Sequence, residues 1–298
     1  MKQPIVFSEA AELARLSVQC RLLLPFEEPA FRALMPRFPA GRELNLLDAG
    51  CGSGGKTRRW FSPDSMGGIF RRVKTVVGLE YHSELVEAAQ QEADSRFLFR
   101  CADVQSPELV SQLAEVMAEA GIGSFDAIYL SLILLHLASP ETVLERLKPF
   151  LSPGGCLVIV EADDGGCRLE PDEEGLLGGF LDILGRDPYA GDRTLGDRLP
   201  ALLDACGMKV AAEYRGIAAF PGSSPADCQR KEDIFTAFFS YLPDDIRRLR
   251  EEEPGNPRWA ADEAWLRAHY EALRRRVLAS DSSVVMGVRL IVGAEASF

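Results

Sequence analysis

The chain has 298 residues, of which 47% are hydrophobic and 26% are charged, and its formal net charge is −12 at pH 7. This length suits one large α/β domain or a domain with a sizeable insertion, and the composition is that of an ordinary globular protein. The negative charge argues against nucleic acid as the principal partner, and the sequence lacks the run of about 18 apolar residues that would predict a membrane span.

The N-terminal sequence MKQPIVFSEAAELARL carries scattered charges and lacks the apolar centre of a signal peptide. The seven cysteines form no CxxC pair, and their odd number favours reduced thiols. These features predict a cytoplasmic protein. Residues 1–43 are interpreted as an N-terminal helical segment. Its helix, near Ser8–Leu24, is expected either to cover the site as a lid or to pack on one face of the sheet.

Apolar stretches of strand length alternate with helix-like segments up to residue 160, which predicts a parallel sheet with helices on both faces. The predicted strands are Leu44–Ala49, Thr75–Leu79, Phe97–Cys101, Ala127–Leu130 and Cys156–Val160. The predicted helices are Gly55–Phe61, Ser83–Ala93, Glu108–Ala120 and Glu141–Phe150. The sequence Pro153-Gly154-Gly155 predicts a turn into the fifth strand.

The pattern changes after residue 160. A helix is expected near Leu199–Cys206, followed by two late strands at residues 208–220 and 283–294. Roughly sixty residues separate these strands, too many for a hairpin loop, and they contain two apolar helical stripes. The sequence starting at Ser224 has the residues of a helix capping box. We therefore expect a domain spanning residues 44–298, with helical insertions at about residues 165–198 and 221–282.

The sequence LLDAGCGSGGKT, residues 46–57, places a glycine-rich loop directly after the first predicted strand. Such a loop lets a ligand approach the backbone beyond the carboxyl end of the strand. The same residues fit both the glycine motif of dinucleotide-binding proteins and the first motif of S-adenosylmethionine (SAM) methyltransferases. The second strand ends at Glu80, where a carboxylate can bind ribose hydroxyls. Because both kinds of cofactor contain a ribose, Glu80 does not discriminate between them.

The sequence FLFRCADVQSP places Asp103 just after the third strand, and here the chain resembles the class I SAM-dependent methyltransferases. The segment from FDAIYL to VIVEAD is similar to the fourth and fifth strands of that family, with a Leu-x-Pro-Gly-Gly turn between them. The resemblance covers residues 44–163 and continues weakly to residue 210. It implies a Rossmann-like α/β fold, a three-layer sandwich whose seven-stranded, mostly parallel sheet has an antiparallel last strand, plus helical insertions.

The resemblance also implies SAM as the cofactor and assigns its contacts residue by residue. The implied cofactor-binding residues are Asp48, Gly50, Gly52, Gly54, Glu80, Tyr81, Asp103, Val104 and Ser131. The first four would hold the amino-acid part of SAM, with Asp48 orienting the ammonium. Glu80 would bind the ribose. Tyr81, Asp103 and Val104 would contact the adenine, and Ser131 would lie near the sulfonium.

Candidates for acceptor chemistry follow the fourth and fifth strands. His136 is the candidate catalytic base, with a structural role as the alternative. Asp163 and the neighbouring Asp164 could line the acceptor site or lie in an exposed turn. Tyr189 and Arg193 are further candidates for substrate binding, and Arg193 could instead form a surface ion pair. The spacing of His, Cys and acidic residues suggests no metal site.

The sequence therefore predicts a SAM-dependent methyltransferase that transfers a methyl group to an oxygen, nitrogen or carbon atom of a small molecule. No nucleic-acid or membrane partner is expected, and the chain could form a homodimer. The alternatives are a non-catalytic SAM-binding protein and an NAD-dependent oxidoreductase that uses the same glycine loop. The insertions are expected either to roof an acceptor pocket or to pack elsewhere, as on a dimer interface.

Overall fold

The computed structural model describes residues 10–295, so residues 1–9 of the predicted N-terminal segment lie outside the described residues. The chain divides into two compact units. Unit 1 comprises the described residues up to Leu23, together with Ala162–Thr194 and Arg215–Val288. Unit 2 comprises Leu24–Glu161, Leu195–Tyr214 and the described residues from Arg289 onward. Within the described part of the chain, four secondary-structure elements have residues in both units.

The elements alternate along the chain as a Rossmann-like fold requires. The strands are β1 (Leu44–Ala49), β2 (Val73–Glu80), β3 (Phe97–Cys101), β4 (Phe125–Ser131), β5 (Leu151–Ala162), β6 (Arg168–Glu170), β7 (Lys209–Ala219) and β8 (Ser283–Ala294). The helices are α1 (Ala10–Leu34), α2 (Gly55–Trp60), α3 (Ser83–Gln91), α4 (Leu109–Ala120), α5 (Pro140–Leu147), α6 (Leu176–Leu184), α7 (Leu195–Ala205), α8 (Pro225–Phe238), α9 (Leu242–Glu252) and α10 (Pro257–Leu278).

The predicted fold class is confirmed. The strands follow the order β3-β2-β1-β4-β5-β8-β6, and β7 also pairs with β8. The first five strands pair in parallel, whereas β6 runs antiparallel to β8. Strands β1, β3 and β8 begin and end at the predicted residues. The three-residue β6 was not predicted, because so short a segment carries no periodic signal.

The predicted turn before β5 is a bulge at the start of that strand. Phe125 of β4 pairs with Leu151, and Ala127 pairs with Cys156, so β5 contains extra residues between these two pairs. Glycine is required at position 155, because a Cβ there would lie 2.9 Å from the Ser152 carbonyl oxygen. The Pro-Gly-Gly sequence therefore permits a crowded bulge rather than a separate turn.

Helix α1 is longer than predicted, because its part in unit 2 belongs to the hydrophobic core. The ring of Phe31 lies 5.9 Å from that of Phe61, 5.2 Å from that of Phe70 and 5.8 Å from that of Tyr129. Helix α1 continues through two prolines that a sequence interpretation treats as helix breakers. Burial of the aromatic cluster explains why the helix extends beyond them.

Unit 1 contains most of the predicted helical insertions. Ser224 and Asp227 form the predicted capping box at the start of α8. The aromatic stripe of this helix is buried, and Phe239 packs 5.3 Å from Phe235 and 5.0 Å from Phe180. These rings therefore serve packing within the unit. Helices α6 and α9 lie within the predicted helical insertions, although no individual helix was predicted at their residues. Between residues 10 and 295, no helix combines the length and apolarity needed to cross a bilayer.

The aromatic cluster of unit 2 predicts a stability effect. Phe31→Ala should destabilise the protein by about 3–5 kcal/mol, because it removes a buried ring and leaves a cavity. Urea unfolding followed by circular dichroism measures the change. Phe220→Ala is the matched control, because that ring is 67% exposed; it should change stability by less than about 0.5 kcal/mol. A loss below about 1 kcal/mol for Phe31→Ala would contradict the packing account.

Candidate functional site

The glycine loop after β1 contains glycines with two different purposes. Gly50, Gly52 and Gly54 all have positive φ angles, of 87°, 55° and 70°. A Cβ at Gly50 would lie 2.2 Å from Ile133, and one at Gly54 would lie 2.8 Å from Phe99, so both positions are closed by protein. At Gly52 no atom lies within 4 Å of the Cβ position. Gly52 is therefore the one of the three where a ligand can approach the backbone directly.

Glu80, at the end of β2, fixes this loop. Its carboxylate is only 8% exposed and accepts three backbone N–H bonds, from Gly52 at 3.1 Å, Tyr81 at 2.9 Å and His82 at 3.0 Å. Two of these bonds go to Oε1 and one to Oε2. A carboxylate has about four acceptor positions, so Oε2 can take one further hydrogen bond. Glu80 can thus bind one ribose hydroxyl while it holds the loop.

The predicted adenine residues lie together beyond β2 and β3. The Tyr81 ring is 46% exposed. Partial burial and the nearby charges of Glu80 and Asp103 raise the pKa of Tyr81. Asp103 is exposed, and its Oδ1 accepts the Gln105 N–H at 2.8 Å. Val104 is buried beneath them. The structure therefore brings together polar groups and an exposed ring that suit a nucleoside.

Asp48 lies at the other side of the loop, at the end of β1. It is 4% exposed, and the hydroxyl of Thr57 donates to its Oδ2 at 2.6 Å. Burial raises the pKa of Asp48 to about 6, against the opposing effects of Thr57 and the Lys56 ammonium. Asp48 is therefore mostly ionised at neutral pH and becomes protonated below pH 6.

A buried charge network adjoins the loop in unit 2, and the sequence analysis did not find it. Glu27, in α1, is fully buried and accepts hydrogen bonds from Lys56 at 2.9 Å, from Tyr129 at 2.6 Å and from the Trp60 indole N–H. Lys56 Nζ also donates to the hydroxyl of Ser131 at 2.6 Å. Ser131, a predicted site residue, is thus tied to the glycine loop through Lys56.

His136 lies in a short turn after β4, in the same unit. Glu161, near the end of β5, is fully buried, and its Oε1 accepts the backbone N–H groups of Ile133 at 3.1 Å and Leu134 at 2.7 Å. Leu132 has a φ of 55°, which marks a tight change of direction directly after β4. Glu161 therefore holds the turn that carries His136, a role that sequence alone did not reveal.

The predicted substrate residues lie in unit 1. Arg193 binds Asp164 through two N–H groups, at 2.8 and 3.2 Å, and does not form a surface pair. Tyr189 donates its hydroxyl to Glu252 at 2.7 Å. Asp163 is 8% exposed, and its carboxylate receives no hydrogen bond from any residue that the structure describes. Of these side chains, Asp163 has the most capacity to bind a ligand.

Unit 1 also contains a pair of buried acids that was not predicted. Asp187 Oδ1 accepts the Tyr189 N–H at 2.9 Å. Asp187 Oδ2 is buried next to the carboxyl of Asp245. Apart from that carboxyl, no described residue donates a hydrogen bond to it. Burial raises the pKa of Asp187 to about 6. Burial and the neighbouring charge of Asp187 raise the pKa of Asp245 to about 7. The two carboxyls therefore share a proton at mildly acid pH.

The fold and the glycine-loop site of unit 2 define a nucleotide-cofactor domain. A family model described as a methyltransferase domain matches residues 41–175. The malonyl-[acyl-carrier protein] O-methyltransferase of Enterobacter lignolyticus is 30% identical over 128 residues, which cover 43% of this chain and 42% of that protein. The polyketide synthase-nonribosomal peptide synthetase phmA of Phaeosphaeria nodorum is 25% identical over 134 residues, or 44% of this chain and 3% of that protein.

This chain therefore spans less than half the length of both curated relatives. A presumed methyltransferase from Bacillus halodurans C-125, whose crystal structure is known, has a TM-score of 0.50 at 13% identity. The match covers 90% of this chain and 99% of that one, and it supports the same fold. Residues 41–175 are therefore similar to a methyltransferase domain. The open backbone at Gly52, the remaining acceptor position of Glu80 and the carboxylate of Asp48 fit an S-adenosyl cofactor.

Asp48 predicts a pH dependence of cofactor binding. Its pKa of about 6 means that the carboxylate, which would attract a cofactor's ammonium, is lost as the pH falls below that value. The affinity for S-adenosylhomocysteine (SAH) should weaken about tenfold between pH 7.5 and pH 5. Asp48→Asn still accepts the Thr57 hydroxyl but should bind SAH weakly and with a flat pH profile. Calorimetry measures both, and a flat profile for the unmodified protein would exclude this role.

The acid pair of unit 1 predicts a pH dependence of stability. Because both pKa values are raised in the folded state, the folded protein holds more protons than the unfolded chain between about pH 4 and pH 7. Stability should therefore fall as the pH rises through this range. Asp245→Asn should reduce the loss of unfolding free energy between pH 5 and pH 8 by about 1–3 kcal/mol. An unchanged pH slope in urea unfolding would show that the pair does not share a proton.

Proposed function

We propose that the whole protein is a SAM-dependent methyltransferase that acts on a small-molecule acceptor. The observation that carries the proposal is the open space at Gly52, whose backbone N–H donates to a Glu80 carboxylate that has one acceptor position left. This geometry lets a cofactor contact the backbone and a carboxylate at once, without moving a side chain. The methyltransferase-domain match over residues 41–175 supports the same conclusion.

In this proposal the cofactor residues divide into two groups. Asp48 faces the ammonium, and Ser131 lies near the reacting centre at the end of β4. Glu80 binds the ribose, while Tyr81 and Asp103 contact the adenine. Gly50 and Gly54 contribute indirectly, because their missing side chains let Ile133 and Phe99 support the loop from within the protein.

When bound, SAM supplies a methyl group that is already activated by its sulfonium, so no side chain has to activate the donor. The residues of this chain then have to orient the acceptor and exclude water. His136, in the turn that Glu161 holds, is our candidate to take a proton from an oxygen or nitrogen acceptor. Asp163 is our candidate for an acceptor contact, because it directly follows β5, is 8% exposed, and has a carboxylate that receives no hydrogen bond from the described residues.

We place the protein in the cytoplasm. All seven cysteines lie within the described residues and are free thiols, four of them buried. Reduced cysteines in this number are typical of a reducing compartment. Neither the location nor the acceptor is used in the argument for the cofactor, so each can be tested separately.

The cofactor part of the proposal is tested by two alanine variants. Gly52→Ala places a methyl group in the open space, and SAH affinity should fall at least about tenfold. Gly41→Ala is the matched control, because Gly41 also has a positive φ, of 81°, with no atom within 4 Å of its Cβ position. Both variants carry similar backbone strain of about 1–2 kcal/mol, but only Gly52→Ala should weaken binding in calorimetry.

Equal effects of the two variants on SAH affinity would contradict the assignment, and binding of NADH in place of SAH would favour an oxidoreductase.

Catalysis is tested with tritiated-methyl SAM and a panel of carboxylic acids, phenols and amines. Carboxylic acids are included because the Enterobacter relative is named for methylating a malonyl group. Transfer to one class, abolished by Gly52→Ala and retained by Gly41→Ala, is expected. Tight SAH binding without transfer to any compound would favour a non-catalytic SAM-binding protein.

A further inference from the structure

Lys56 is a mostly buried cation at the edge of the cofactor loop, and the roles assigned above do not use it. Its side chain is 15% exposed and follows the glycine loop directly in α2. The ammonium is held from two sides, by Glu27 Oε1 at 2.9 Å and by the Ser131 hydroxyl at 2.6 Å. The aromatic rings of Trp60 and Tyr129 lie 5.0 Å from Nζ. The position of this charge is therefore fixed by contacts on several sides.

The ammonium of Lys56 has capacity for one more bond. A lysine carries three N–H donors, and the contacts of Nζ among the described residues account for two of them. The remaining donor is available to an anion that reaches the end of β4, where Ser131 lies.

The charges around the loop show which part of a ligand needs this donor. The carboxylates of Glu27 and Glu80 both lie close enough to Asp48 to act on its carboxylate electrostatically. Lys56 is the cation that opposes them at Asp48. SAM and SAH carry a positive ammonium, which these acids attract, and a carboxylate, which they repel. A fixed cation that faces this carboxylate offsets the repulsion by the acids.

We propose that Lys56 binds the carboxylate of the cofactor's amino-acid part, with Glu27 and Ser131 holding its ammonium in position. This inference rests on the proposed function, because it places a group of SAM at that same site. It also predicts a ligand preference. Because of Lys56, the site should bind adenosyl thioethers that carry the amino-acid carboxylate more tightly than those that lack it. Glu27 is a positioning residue in this arrangement and does not itself contact the cofactor.

The test is a cycle of four affinities, measured by calorimetry. The two ligands are SAH and S-adenosyl-3-thiopropylamine, which keeps the amine and lacks the carboxylate. The two proteins are the unmodified chain and Lys56→Gln, whose amide can still donate to Glu27. The unmodified protein should prefer SAH by about 10- to 100-fold, the range for a hydrogen bond to a charged group. Lys56→Gln should lose most of that preference while its affinity for the amine analogue stays within about threefold.

A matched control is Lys74→Gln, because Lys74 is 62% exposed and binds Glu43 at 2.7 Å in the same unit. This variant should leave both affinities unchanged. If Lys56→Gln does not fold, the double variant Glu27→Gln/Lys56→Gln removes both charges of the buried pair and should show the same loss of preference. Equal weakening of both ligands, or an unmodified protein that does not prefer SAH, would overturn the assignment of Lys56. Binding of neither ligand to the unmodified protein would overturn the proposed function itself.

Discussion

A carboxylate that water does not reach has to be satisfied by protein donors, and Glu27 meets this requirement with three of them. Lys56, Trp60 and Tyr129 come from α2 and β4, so the buried charge connects α1 to both elements. Removing one partner of such a pair typically destabilises a protein by about 3–5 kcal/mol, because the other charge remains buried and uncompensated. The position of the loop between β1 and α2 therefore depends on an acid far away in sequence.

The loop itself is held from the opposite side by Glu80, whose carboxylate accepts the N–H of Gly52. The glycines then serve separate needs: those at positions 50 and 54 permit close packing against Ile133 and Phe99, and Gly52 leaves space for a ligand. Glycine-rich loops are commonly explained by ligand approach alone. In this protein two of the three residues are required by the protein's own side chains, so a substitution there would disturb the loop without touching the cofactor directly.

Much of the fold could be predicted from the sequence, because the strands of unit 2 are apolar, bounded by glycines and followed by clear helix starts. The residues at the strand ends, such as Glu80 and Asp103, could be placed for the same reason. The buried acids that hold the site in place could not be predicted. Glu27 and Glu161 contact residues that are distant in the chain, and a single acid in an apolar stretch does not reveal its donors.

In unit 1, too, contacts between distant residues could not be predicted from the sequence. The sequence offered Arg193 either as a substrate-binding residue or as part of a surface ion pair, whereas it binds Asp164 through two N–H groups. The Asp187–Asp245 pair gave no signal, since its members are 58 positions apart, with Asp187 in the loop after α6 and Asp245 in α9. Local periodicity predicted α8 and α10 but not the packing that makes α9 a separate helix. Tertiary contacts, rather than local preference, decide each of these features.

A crystal structure of the protein with SAH would test the central claim, that fixed charges around the glycine loop hold the cofactor. The account predicts the adenosine beside Tyr81 and Asp103, one ribose hydroxyl on Glu80 Oε2, and the SAH carboxylate about 2.7–3.2 Å from Lys56 Nζ. An SAH molecule bound away from Gly52, or one whose carboxylate points away from Lys56, would contradict it.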